Sequence, residues 1–488
     1  MKSTLVLLVI GLASLGSPGV PAPTYDLVIS GGRVMDPGTG RNEILNVGIV
    51  GTRIAVLSKA RLAGKRVIDA RGMVVAPGFI DLHSHVGDDV ATTSYLIRDG
   101  ITTHLELEMG AYPIAPWYAK RAGRHQLNYG ASVSHLYARY AAQVLDSAFL
   151  RAAGTENREA YSASHDIPQA VYARFLQNLR VGLDQGGIGI GSGTQYGPGI
   201  TRQEMLDVTR AVAQSRTCLF THIRYGSLVE PGSTLEAIQE MISDAAITGA
   251  AIHIVHLNSM AMSATPAMLG VIHGARARGL DISTEIYPWD ASVDQIRSVI
   301  FEPGWEARWG VTAHDLQSTV TGRRLTREEF DALKSGTAPD GVLMHMNTEA
   351  TLVAALRDSI VMVASDGVSL TSPNDHPRTA GTFARLLGKY VRDDHAISLM
   401  DAIRKVTWLP AQRLARFVPA MKRKGRIGVG ADADITVFDP AVVAERARYL
   451  DAMQYSVGIP TVIVNGTVVV DAGKVVDGAL PGRPITTQ

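Results

Sequence analysis

The feature that most limits the fold is a change of texture along the chain. From about residue 78 to residue 418, short apolar runs such as THLELEM, TCLFTHI, AIHIVHL, DISTEIYP and IVMVASDG alternate with helix-like stretches such as GSTLEAIQEMISDAAITG and PAMLGVIHGARARGL. Strand and helix alternating over that length build a parallel sheet covered by helices. Polar residues gather where the apolar runs end, which is where a (β/α)8, TIM-like barrel keeps its reactive groups. An open doubly wound sheet also fits the alternation. However, GGIGIGSG completes no G-x-G-x-x-G register, and no Walker lysine motif is present.

The two ends read differently. Residues 25–75 consist of β-type runs cut by turns, such as YDLVIS, LNVGIVGTRIAVLS and KRVIDARGMVVAPG, and the same style returns in DADITVFDP and GIPTVIVNGTVVVDAGKVV. Asn465-Gly466 is a hairpin turn between two β-branched runs. Residues 23–77 and 419–488 are therefore expected to pair into one small β-sandwich beside a barrel over 78–418, with an insertion near 300–342. Residues 1–22 carry one lysine, an apolar segment and then Gly/Pro-rich chain, the form of a secretory signal peptide. The mature chain is expected outside the cytoplasm, periplasmic or secreted, with no membrane span, since no later apolar run is long enough.

With 47 basic and 46 acidic residues, the formal charge of +1 leaves no polyanion-binding surface, so nucleic acid is not an expected partner. The one cysteine excludes an internal disulfide, and Cys218, inside an apolar run, reads as a small core residue. Nothing in the sequence fixes the oligomeric state.

The chemistry gathers at the strand ends. In APGFIDLHSHVGDD, extended chain puts His83 and His85 on one face, where two imidazoles can grip one metal ion. GITTHLELEMG places Glu106 and Glu108 on a common face, LFTHIRYG contributes His222, IHIVHLNS contributes His253 and His256, and IVMVASDG contributes Asp366. Each has an unremarkable alternative: a hydrogen-bonded core histidine, a glutamate paired with arginine, an aspartate capping a turn. All of them recurring in barrel order is harder to dismiss, because a charge buried at such a place must be paired or bound to metal. Imidazoles and carboxylates suit zinc or a similar divalent ion.

PGFIDLHSH, THIR, VHLN, IYPWDAS, SDG, HPRTAGTF and GRIGVGADADITVFDP together resemble the amidohydrolase superfamily, and within it the D-aminoacylase (N-acyl-D-amino-acid deacylase) branch. The resemblance implies a (β/α)8 barrel with a small β-sandwich and one or two zinc ions per chain. It matches His83 and His85 to the His-x-His ligands, His222 and His256 to the later histidines, and Asp366 to the aspartate ending the last strand, where it serves as metal ligand and catalytic base. His253, three residues from His256, faces the other way along the strand and is expected to be structural. Where D-aminoacylases bridge with cysteine, this chain has Met109, which cannot bridge. Glu108 is the expected substitute and Glu106 the second choice. A carbamylated lysine is excluded because no lysine lies between Lys120 and Lys334.

By the same resemblance, the chain hydrolyses a linear amide, deacylating small N-acyl-D-amino acids with a metal-activated water. The substrate carboxylate is expected near Tyr287, Ser292 and Arg378. Asn258 stands where many relatives carry lysine, which shifts the charge to Arg378 or Arg224. The LELEMG segment resembles deacylases of N-acyl-D-glutamate and favours an acidic side chain. A cyclic-amide hydrolase of the hydantoinase or dihydroorotase kind, or a non-catalytic metal-binding homologue, are the alternative readings.

Overall fold

The computed structural model describes residues 24–155 and 157–488. The signal peptide expected in residues 1–22 lies outside the described residues. Eight parallel strands form one sheet: β1 (Phe79–Asp81), β2 (Ile101–Ala111), β3 (Asn128–Ser134), β4 (Ile190–Gly193), β5 (Cys218–His222), β6 (Ala251–Ile254), β7 (Ile282–Ile286) and β8 (Val361–Val363). Each pairs with its neighbour in sequence, from β1 to β8, without the reversal of order that an open doubly wound sheet requires. The first and last strands are stitched beyond their ends. His85 N donates to Gly367 O at 2.7 Å, and Ser365 N donates to Asp81 Oδ1 at 3.0 Å. This is the expected barrel.

The strand sequences dictate their two faces. In β5, Leu219 packs in the large apolar layer between sheet and helices, while Cys218 and Phe220 belong to a separate inner cluster. The two-residue period then carries His222 inward at the strand's end. In β7, Ile282 and Ile286 face the helix layer, which leaves Glu285 on the inner face. The covering helices are set by matching signals. The helix Thr234–Thr248 opens with a Ser233/Glu236 capping box and closes on Gly249 in the left-handed region. It buries Ala237, Ile238, Met241 and Ala245, the i, i+3/i+4 stripe of an amphipathic helix.

Both chain ends enter one nine-stranded sheet, in which Ile435–Phe438 runs antiparallel to Val74–Pro77. Hydrogen bonding through this sheet is continuous, and its two ends share one apolar core from Leu27 to Val468. The GADADI segment ties this sheet to the barrel. Buried Asp434 accepts from Asn465 N and from Asn128 Nδ2 of β3, and pairs with buried Lys424. That motif is therefore architectural.

Between β7 and β8 the chain departs into a three-stranded antiparallel sheet of Ala291–Gln295, Gly341–His345 and Leu316–Ser318, with its own core around Phe301, Trp305 and Phe330. This insertion begins earlier and ends later than the expected 300–342. Its first strand turns back towards the C-terminal ends of the barrel strands and walls the cavity described below. No helix among the described residues is long and apolar enough to cross a membrane.

Candidate metal centre and active site

Six side chains converge at the C-terminal mouth of the barrel. His83 and His85 follow β1, Glu108 lies on β2, His222 ends β5, and His256 and Asp366 stand just past β6 and β8. His256 and Asp366 have positive φ, +29° and +52°. That region is costly for residues with a Cβ, and such costs collect where function demands a particular side-chain direction.

Ligand atoms of His83, His85, Glu108 and Asp366 form one group able to hold a metal ion, and those of Glu108, His222 and His256 form another. Glu108 divides its oxygens between them. Oε2 lies 3.1 Å from His83 Nε2 and 3.0 Å from His85 Nε2, whereas Oε1 lies 2.9 Å from His222 Nδ1 and 3.1 Å from His256 Nε2. Asp366 Oδ1 reaches His83 Nε2 at 3.2 Å and His85 Nε2 at 3.5 Å. Glu106 is not between the two groups. Its carboxylate receives His85 Nδ1 at 2.9 Å and orients that ring.

The second nitrogen of every imidazole is also fixed. His83 Nδ1 meets Glu285 Oε1 at 2.7 Å, His222 Nε2 meets Gln195 Oε1 at 2.7 Å, and His256 Nδ1 meets Ser259 Oγ at 2.9 Å. Carboxylate and amide oxygens only accept, and the Ser259 hydroxyl hydrogen goes to His256 O, so these nitrogens carry a proton and leave the other nitrogen of each ring to take a second proton or a metal. His83 Nε2 and His85 Nε2 lie 3.0 Å apart, both within reach of Glu108 Oε2, a place that favours positive charge, whether proton or metal. A metal ion would take the place of those protons and be met by both rings and the carboxylates, so the donor set fits one. Nitrogen and oxygen donors without thiolate suit zinc and its neighbours. Cys218, buried against Arg413 below the mouth, plays no part.

The electrostatics agree. Burial works against charge on His83 and His85, yet Asp366 and Glu108 beside His83, and Glu106 beside His85, hold both rings well above the usual imidazole range. Burial keeps His256 below that range, so it is neutral and ready to coordinate. Glu285 is fully buried, but hydrogen bonds from His253 and His83 bring it down to about 2, an ionised anchor beneath the site.

The other sequence-derived residues divide. Tyr287, Ser292 and Arg378 line the cavity together with His222, His256 and Asp366. Arg378 is buried, pairs with Asp366 Oδ2 at 2.8 Å and lies over the Tyr287 ring at 5.0 Å. Its Nε and the Tyr287 hydroxyl are buried without a partner, two donors free for a ligand. Asn258 is not available: its amide is spent on the backbone of Tyr287, donating to the carbonyl at 3.1 Å. Arg224 is not available either, because Glu240 grips it through two nitrogens and Ile200 O takes the third. His253 is outside both metal groups, as expected, but it does not face away from the barrel's interior. It reaches Glu285 at 3.2 Å and so supports His83 from below. Glu285, Gln195 and Ser259 were not anticipated. Only Glu285 left a trace in the sequence, as a lone carboxylate in a run of otherwise buried strand residues.

An eight-stranded barrel with paired histidines after its first strand and a carboxylate shared between two ligand groups defines a hydrolase-type metal barrel. The family model described as "Amidohydrolase family" matches residues 66–470, and the chain belongs to that family. It is 31% identical to an N-acyl-D-glutamate deacylase of Alcaligenes xylosoxydans xylosoxydans, over 91% of this chain and 93% of that one. It is 28% identical to the D-aminoacylase of the same organism, over 91% and 94%. Among solved structures, an N-acyl-D-glutamate deacylase from Bordetella bronchiseptica, complexed with zinc and a phosphonate mimic of the tetrahedral intermediate, superposes with a TM-score of 0.80. That match has 25% identity and covers 95% of this chain and all of the other.

Proposed function

We propose that the chain is a zinc-dependent deacylase that hydrolyses the linear amide of N-acyl-D-amino acids. The observation that carries this is Glu108, whose two carboxylate oxygens each face their own set of imidazoles, one residue before Met109, the position that matches the bridging cysteine of the resembled branch. Glu108, His222 and His256 would hold one ion, and His83, His85 and Asp366 a second. Zinc bound there supplies Lewis acidity, polarising an amide carbonyl and acidifying water.

The rest is done by the chain's own groups. Asp366, held by Arg378 through Oδ2 and facing the ligand histidines through Oδ1, accepts the proton of the attacking water and returns it to the leaving nitrogen. The products are a carboxylic acid and a free amino acid. Arg378 and the Tyr287 hydroxyl receive the substrate carboxylate. A carboxylate that draws Arg378 away from Asp366 also raises the proton affinity of Asp366, since that guanidinium, against the effect of burial, holds it low.

The test is turnover by the zinc-loaded protein on N-acetyl-D- and N-acetyl-L-amino acids. Hydrolysis of the D series is expected. Preference for the L series or for ring amides such as hydantoins would defeat the reading. Arg378→Ala should raise KM by about 10- to 100-fold, the range for losing a charged, two-pronged contact. A KM within twofold of the parent would take Arg378 out of substrate binding.

Zinc binding should also release protons. Because His83 and His85 hold protons unusually firmly and coordinate only without them, apparent affinity rises as pH rises and falls as it drops. Calorimetry in buffers of different ionisation enthalpy reads this directly, and a buffer-independent heat would contradict it.

A further inference from the structure

The cavity wall beyond Arg378 carries a charge that the deacylase reading leaves unused. Asp294 sits on the first strand of the insertion and lines the cavity with Val293, Ile300, Trp309, Met344 and Met346. Its Oδ2 accepts from the Tyr196 hydroxyl at 3.1 Å, and the Tyr196 ring packs on His222 at 4.7 Å, so the carboxylate stands one side chain away from the ligand set. Its Oδ1 accepts from Gln295 N. No basic side chain among the described residues pairs with it, and apart from the two ligand histidines, Arg378 is the one basic residue lining the cavity.

Resting on the deacylase reading, we propose that Asp294 sets the side-chain preference, and that the substrates carry an apolar stem ending in a positive charge, the N-acyl-D-lysine and N-acyl-D-arginine class. A bound D-amino acid places its carboxylate at Arg378, and that guanidinium already serves Asp366. A second substrate carboxylate would then meet Asp294 with no cation left to receive it, and like charges in a cavity of low dielectric repel strongly. A lysine or arginine side chain resolves the same geometry. Its methylenes lie along Val293, Ile300 and the methionines, and its cation supplies the partner Asp294 lacks. This opposes the acidic preference drawn from the LELEMG segment. That segment surrounds the metal bridge, and Asp294 surrounds the substrate's side chain.

The experiment compares kcat/KM for N-acetyl-D-lysine, N-acetyl-D-arginine and N-acetyl-D-glutamate on the zinc-loaded full chain and on Asp294→Asn and Asp294→Lys. The basic substrates should exceed glutamate by more than about tenfold in the parent, since opposite and like contacts differ by well over 1.4 kcal/mol. That ratio should collapse by at least about tenfold in Asp294→Asn and invert in Asp294→Lys. A ratio of two substrates on one preparation cancels any loss of folded protein. Glutamate equal to or better than lysine in the parent, or a ratio unmoved by Asp294→Asn, overturns the proposal. Turnover of no N-acetyl-D-amino acid at all, N-acetyl-D-methionine included, overturns the deacylase reading instead.

Discussion

Asp366→Asn should abolish turnover while leaving zinc bound. The substitution keeps the shape but removes the group that accepts the water's proton, and loss of a positioned general base costs about 10²- to 10⁴-fold in kcat. Metal should persist because Glu108, His222 and His256 form a group without Asp366. The change also leaves the buried Arg378 guanidinium facing a neutral amide in place of its 2.8 Å partner, so a thermal melt belongs beside the kinetics. Zinc content by elemental analysis and kcat on an N-acetyl-D-amino acid decide the matter. A kcat near the parent's would remove Asp366 as the base. Loss of all zinc would make it an indispensable ligand instead.

Glu108→Gln should be more damaging than Glu106→Gln, and in a different quantity. Glutamine at 108 has one oxygen where two are needed, and its amide hydrogens would point at the lone pairs of either His83 and His85 or His222 and His256. Both ligand groups lose their common member, so metal content and activity should fall together, activity by roughly a thousandfold or more given the loss of a charged ligand. Glu106 touches one ring from outside. Losing it frees His85 to turn and should weaken metal affinity by about 10- to 100-fold, as removal of such supporting carboxylates does. A zinc titration of both variants separates these outcomes. Equal effects would place the shared carboxylate elsewhere.

The barrel was legible because short apolar runs, whose side chains alternate faces with a period of two, are separated by helical stretches. The same period brought His83 next to His85 and carried His222 inward behind Phe220. It failed at His253. The period ends with the strand, and His256 lies beyond it at positive φ, so spacing between the two says nothing about direction. Asn258 and Arg224 stood close to ligands in sequence and were expected to face the substrate. Asn258 instead braces the Tyr287 backbone, and Arg224 is consumed by Glu240, a residue sixteen positions on that no local pattern links to it. Gln195 and Ser259 left no signal, since uncharged residues after a strand are common and only the folded distances select these two. The insertion was placed too narrowly because Ala291–Gln295 reads in sequence like an extension of the strand before it, although it pairs antiparallel with Gly341–His345.

The sheet shared by the chain's two ends also constrains how the protein is made. Val74–Pro77 leaves the ribosome early, yet the strand that covers its flank, Ile435–Phe438, follows about 360 residues later. At an elongation rate of 5–20 residues per second that interval is roughly 20–70 s, during which the early strands present an open edge of unpaired backbone and a half-built apolar core. Chaperones have that window in which to act, and truncated translation products ending before Ile435 should be the species most prone to self-association.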